Sequence, residues 1–218
     1  TVDSNFYPLG GQIIKSKKTM YPIIDSVVVK ALSNDSEIAF YLHWDDPTVD
    51  PILKQFTIVK ESPAPPLPKH LQVIESEEEQ PIQEPIPQEF PDSIAIQFPV
   101  SINNSGEKPY FLNGDVNHPV NLWKWNSYPM KATEVNATGT NTMKAQKIEN
   151  QNLTSKASFK YGRYSLVIKR KLITTDTQND IQFKLGKKIP IAFNVWNGSA
   201  GETKSQKVIS SWFNLVLE

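Results

Sequence analysis

Residues 37–44, EIAFYLHW, place Ile38, Phe40, Leu42 and Trp44 at every second position, and this two-residue period returns in short runs along the whole chain. Side chains on a strand alternate between its faces, so such runs read as half-buried β-strands. The alternation recurs in Ile94, Ile96 and Phe98 before Pro99, in Trp123 and Trp125 of VNLWKW, and in Tyr164, Leu166, Ile168 and Leu172 of GRYSLVIKRKL. Residues 23–32, rich in Val and Ile, pair in this reading with 37–44 across the polar turn 33–36. In 189–217, IPIAFNVWNGSAGETKSQKVISSWFNLVL, two apolar runs flank a polar, glycine-containing loop, which predicts an antiparallel hairpin. Helical spacing is scarce: a polar region, 128–156, is expected to be loop, with at most a short helix over 142–150. About eight to ten short strands with long loops predict an all-β fold, an antiparallel β-sandwich.

The 218 residues have ample length for one core, and one domain over 1–218 is expected. Its composition breaks at 62–91, where eight prolines and the run Glu77, Glu78, Glu79 mark a proline-rich surface insertion. Two roles stay open for it: a tolerated long loop, or an arm that docks a partner with little entropy to lose. A formal net charge of zero gives no global field for nucleic acid or an anionic membrane. No apolar run reaches the roughly 18 residues that a spanning helix needs. The chain starts TVDSNFYPLG, with no basic and apolar leader, as expected of a mature exported chain or a trimmed one. With no cysteine, disulfides, thiolate iron–sulfur ligation and thiol nucleophiles are excluded.

Several polar residues sit where the pattern expects apolar ones. Lys207 shares the parity of Ile209, Phe213, Leu215 and Leu217, which aims its amine at the buried side unless a bulge intervenes or the strand starts later. A buried amine is costly unless something receives it, so a solvated lysine and a ligand both stay open. Arg170 shares the apolar parity of Ile168 and Leu172; it either pairs with a carboxylate or anchors an anionic ligand group. Asp45 and Asp46, before Pro47, could hold a cation or cap the turn, and two carboxylates are few for a hard-cation cage. His43, His70 and His118 are scattered, and no GxSxG, HExxH, phosphate loop or EF-hand spacing occurs, so catalysis by this chain is not expected. The five tryptophans are either core or a sugar-stacking platform.

Four blocks, DSIAIQFPV, KPYFLNGDVNHPVNLWKW, YGRYSLVIKRKL and the hairpin 189–217, together with the earlier FYLHWDDPT, resemble the haem b-binding gamma subunits of periplasmic molybdenum oxidoreductases. Ethylbenzene and dimethyl sulfide dehydrogenases, selenate and chlorate reductases and related nitrite oxidoreductases contain such subunits. The resemblance runs over most of 23–56 and 92–217 in the family's order. It leaves out the proline-rich insertion.

That resemblance implies a DOMON-like, carbohydrate-module-like sandwich with one haem b between its sheets. Such a subunit passes electrons between the iron–sulfur beta subunit, which serves the molybdenum-bearing alpha subunit, and an outside carrier. It also implies an exported compartment and an iron held by a lysine and a methionine. The lysine of the family's Lys-x-x-Ser-Ser-Trp block corresponds to Lys207. The methionine precedes a Gly-Asp pair, here Gly114-Asp115, so its position is held by Asn113, a poor ligand for haem iron. His118 is expected as a substitute if its loop folds back, or as a turn cap or a propionate partner; Met130 and Met143 are more distant thioethers. The lost methionine also leaves open a haem-free subunit that docks on, or self-associates within, the enzyme complex. A carbohydrate-binding module is the weaker third reading.

Overall fold

The computed structural model describes residues 5–11, 23–50, 90–102 and 106–217. Most of the proline-rich insertion, 62–89, and His70 with it, lie outside the described residues. The first strands in the chain are β1 (Asn5–Pro8), β2 (Gly10–Gly11), β3 (Ser26–Ser33), β4 (Glu37–Asp45) and β5 (Ser93–Pro99). Then come β6 (Val120–Asn126), β7 (Lys131–Ala137), β8 (Lys144–Ala145), β9 (Thr154–Phe159) and β10 (Arg163–Lys171). The last are β11 (Lys188–Trp196), β12 (Val208–Ile209) and β13 (Phe213–Val216). They form two antiparallel sheets, one of five strands in the order β1-β3-β4-β10-β9 and one of eight built on β2-β12-β11-β5-β6-β7-β8, with β13 also on β11. The fold is the all-β antiparallel sandwich that the alternation predicts.

The inner faces fill the space between the sheets. Ile38, Phe40, Leu42 and Trp44 of β4 and Leu166 and Ile168 of β10 meet Ile94, Ile96, Phe98, Trp123 and Trp125 from the larger sheet in one buried cluster. Phe98 and Trp123 pack edge-on, 5.3 Å between centroids, and both meet Phe40 and Phe183. Trp44, Trp123, Trp125 and Trp196 are all buried and Trp212 is half-buried, so the tryptophans do not form an exposed sugar platform. The β3–β4 turn is closed by Asn34, whose Oδ1 accepts from the N–H groups of Ser36 and Glu37 at 2.9 and 2.8 Å.

Region 128–156 departs from expectation. It holds β7, β8 and the first half of β9, and its helical content is a single 3₁₀ turn, Ile148–Asn150. The hairpin departs in a second way. Asn194 of β11 faces Ile209, but Ile191 faces Phe213, so three steps on β11 meet four on the returning chain. The extra residue makes a β-bulge at Ser210, whose N–H donates to Phe193 O and whose Oγ accepts from Phe193 N–H, both at 2.9 Å. Strand parity therefore flips: Leu217 and Val208 lie in the central core, with Phe213 and Leu215 packed against it. Lys207 and Ile209 are turned to the other side of the larger sheet, which corrects the shared face expected for all five residues.

Asp45 and Asp46 have separate structural duties. Asp45 pairs with exposed Arg163 at 2.7 Å, while buried Asp46 accepts from Thr48 N–H at 3.2 Å as a turn cap. Beside it, Asp92 ties three segments together, accepting from the N–H groups of Asp50 and Gly198 and from the Tyr164 hydroxyl. Among the described residues no group of three or more carboxylates and histidines is placed to hold a metal ion. Burial, and then the charges of Asp92 and Asp50, push the Asp46 carboxyl up from 3.8 to about 7. The folded chain thus keeps a proton that the unfolded chain has lost, and stability falls as pH rises from about 4 through 7. Asp46→Asn keeps the Oδ1 acceptor and removes this penalty. Thermal melts should show it more stable than the parent by about 1–3 kcal/mol near pH 8, with little gain near pH 4; equal melting at both pH values would refute the assignment.

Candidate functional site

The outer face of the larger sheet is covered. Ala95, Val120, Leu122, Val135, Ala137 and Trp196 form a second buried cluster there, with Met143 and Trp212 packed on it. Loop 106–119 lies across this face. Trp212 Nε1 donates to Pro109 O at 2.9 Å, Gln97 Nε2 to Phe111 O at 3.4 Å, and Gly139 N–H to Asn113 O at 2.9 Å. The loop turns at two successive left-handed residues, Asn113 with φ 70° and Gly114 with φ 74°. Asparagine tolerates that conformation, and Gly114 is required, because a Cβ there would stand 2.5 Å from His118 O.

Under this loop Lys207 Nζ donates to Asn113 Oδ1 at 2.5 Å, across 94 residues of sequence. Both side chains are buried, so the structure brings together the lysine and the residue at the expected methionine position. They meet on the outer face of one sheet, whereas the space between the sheets, where the resemblance puts the haem, is filled by aromatic side chains. A second cation is close: Lys207 Nζ lies 4.9 Å and Lys124 Nζ 4.8 Å from the centroid of the Trp196 ring. Among the described residues neither lysine has a carboxylate within ion-pair distance. Burial, reinforced by the charge of Lys124, pushes the Lys207 amine down from 10.5 to about 7. Burial also lowers Lys124. This shift favours the neutral amine, which has a lone pair to give to a metal.

Met143 packs on the same outer-face cluster, while the other expected site residues lie apart. His118 Nδ1 meets Asp115 at 3.2 Å and its Nε2 lies 3.7 Å from Glu107. Asp115 also accepts from the N–H groups of Asn117 and His118 at 2.9 Å, so the histidine belongs to a capped turn rather than to a ligand position opposite Lys207. Arg170 is between the sheets, on the opposite side of the larger sheet from Lys207. Its guanidinium donates to Glu134 Oε1 at 2.7 Å and to Ile181 O, lies 3.6 Å from Asp180, and stacks 4.9 Å from the Trp123 centroid. Carboxylates take its charge, which is the first of the two roles open to Arg170, and its place apart from Lys207 leaves it out of the site on the outer face: a strand that faces the core can carry an arginine when β7 brings Glu134 to it. Met130 is exposed on the β6–β7 turn. Lys124 escaped the sequence reading, and Trp196 was read there only as core or platform. Lys124 does share the parity of Val120 and Leu122, a signal that becomes informative once that face is known to be covered.

Over 128 residues the chain is 33% identical to a Haloferax mediterranei protein named as a respiratory nitrate reductase heme subunit, ORF7; the match takes in 59% of this chain and 44% of that protein's length. Among solved structures, a family 9 carbohydrate-binding module from Caldicellulosiruptor kristjanssonii in complex with glucose aligns over 97% of this chain and 73% of its own, at 10% identity and a TM-score of 0.46. The same module with cellotriose gives 10% identity and a TM-score of 0.45, over 97% and 72%. The family model described as ethylbenzene dehydrogenase matches residues 9–134 and 126–208. The chain belongs to the ethylbenzene dehydrogenase family, the one that its four sequence blocks resemble.

Proposed function

We propose that this chain is a non-catalytic, haem b-binding subunit of a respiratory molybdenum oxidoreductase, with Lys207 as an iron ligand. In this reading it works in an exported compartment and relays electrons between an iron–sulfur subunit and an external carrier. The name of the Haloferax relative supports the haem and the respiratory complex. The observation that carries the reading is Lys207 itself: a buried amine, poised near neutrality, without a carboxylate partner among the described residues, facing the position expected for the second ligand. The donor chemistry fits on the lysine side. With Lys207 on the iron, the second lysine at the Trp196 ring, Lys124, leaves a cation that suits a porphyrin propionate. When bound, the haem would supply one-electron redox chemistry at iron. The protein would contribute the amine, the Trp196 and Trp212 walls that keep water out, and the loop over them. To bind iron, Lys207 must give up its hydrogen bond to Asn113. No helix among the described residues is long and apolar enough to cross a membrane.

That same contact favours a second reading, a haem-free subunit retained for assembly of the complex. The 2.5 Å between Nζ and Oδ1 leaves no space for a metal between them, since one metal–nitrogen bond takes about 2 Å. Titrating the purified chain with haemin separates the two. The proposal expects a Soret band that grows and saturates at one haem per chain; a protein that stays colourless through the titration would overturn it in favour of the assembly subunit.

A further inference from the structure

Lys124 is a half-buried cation with no role in the fold that its neighbours explain. It projects from β6 onto the outer face, on the parity of Leu122 and over the Trp196 ring, and its ammonium has no anionic partner among the described residues. A lysine on a covered apolar face normally carries its ammonium to water or to a carboxylate. The Lys124 ammonium keeps access to water beside the Trp196 ring that Lys207 also approaches, which places two cations beside one aromatic plane. Like charges that close oppose each other, and a cation–π contact offsets such a cost in part. What the arrangement lacks is an anion.

We infer that Lys124 anchors a carboxylate of the ligand held on Lys207, which is a haem propionate in the reading above on which this inference rests. Lys207 would serve the metal while Lys124 serves the edge of the macrocycle, with Trp196 as the apolar wall that both reach. Lys124 is thus a binding residue, and no electron passes through it. A structural lysine held by its contact with Trp196 would behave differently in two measurements, because its removal would weaken the fold and would not discriminate between ligand edges.

The test compares haemin with haemin dimethyl ester, which keeps the iron and the ring and loses the propionate charges. The wild-type chain is expected to bind the free acid roughly 10- to 100-fold more tightly than the ester, as a charge-assisted hydrogen bond in a partly buried site allows. Lys124→Met should lose most of that preference while binding the ester as the wild type does, and Lys124→Arg should keep it. The melting temperature of haem-free Lys124→Met should equal or exceed that of the wild type, because an unmatched cation has been removed. An unchanged acid-to-ester ratio in Lys124→Met would overturn the inference while leaving Lys207 as ligand intact. Weaker binding of both forms together with a lower melting temperature would overturn it in favour of a structural lysine. Failure of the wild type to bind either form would overturn both the haem reading and this inference.

Discussion

Arg170→Met is expected to cost about 3–5 kcal/mol of stability, the usual effect of removing one partner from a fully buried ion pair. Glu134 and Asp180, both inaccessible to solvent, would be left without the guanidinium that holds them, 2.7 and 3.6 Å away. Burial already pushes the Glu134 carboxyl up, and the Arg170 hydrogen bond and charge are the main forces that oppose this. Without them Glu134 would take up a proton or leave an unpaired charge between the sheets. At this chain length the loss should lower the melting temperature by roughly 10 °C. Replacing both partners, Arg170→Met with Glu134→Met, should recover a large share, because well-packed apolar side chains avoid the desolvation cost that the pair must overcome. A single variant that melts within a degree or two of the parent would contradict this account. A single variant that is stable but selectively impaired in ligand binding would restore Arg170 to the candidate site.

Arg170 also shows how far the sequence could be read. Its place on the apolar parity of β10 was visible, and so was the need for a partner; the partner was not, because β7 escaped detection. In KATEVNA the inward position carries Glu134, so the charge that completes the core breaks the apolar rhythm that would have revealed the strand. β9, TSKASF, is half-buried along one face and polar along its length, and it shows little periodicity for the same reason. By contrast β4, β5 and β11 have continuous apolar inner faces, and β6 and β10 keep successive apolar inner residues beside the polar Asn121 and Arg170, so all five were legible from alternation alone. The Ser210 bulge was invisible because a serine hydroxyl replaces a ladder bond without altering the residue pattern. Parity placed Lys207 on the wrong face, and the loop that buries it came from elsewhere in the chain. The pairing of Lys207 with Asn113 was legible through the family blocks, since nothing local links residues 94 positions apart.

Lys207→Ala is expected to reduce haemin affinity by roughly a hundredfold or more, beyond the 10- to 100-fold typical of an outer-shell partner. The amine meets the expected second-ligand position directly, whereas His118 is engaged by Asp115, Met130 is exposed, and Met143 packs on the outer-face cluster as the remaining thioether. Asn113 supplies a carboxamide, which competes poorly with an amine or a thioether. Loss of the amine also removes a buried cation beside Lys124, so the haem-free variant should melt close to the parent, with the cavity cost and the relieved charge partly offsetting. That combination separates loss of a ligand from loss of the fold. The converse change, Asn113→Met, supplies the thioether that the family places there. A methionine at φ 70° pays about 1–2 kcal/mol for the left-handed conformation that asparagine accepts readily. The variant should therefore be less stable without haem, yet should bind haemin more tightly and with a shifted Soret band. If Lys207→Ala took up haemin as the parent does, the amine would not be the ligand. If Asn113→Met then left the spectrum unchanged, the face between these two residues would not be the haem site.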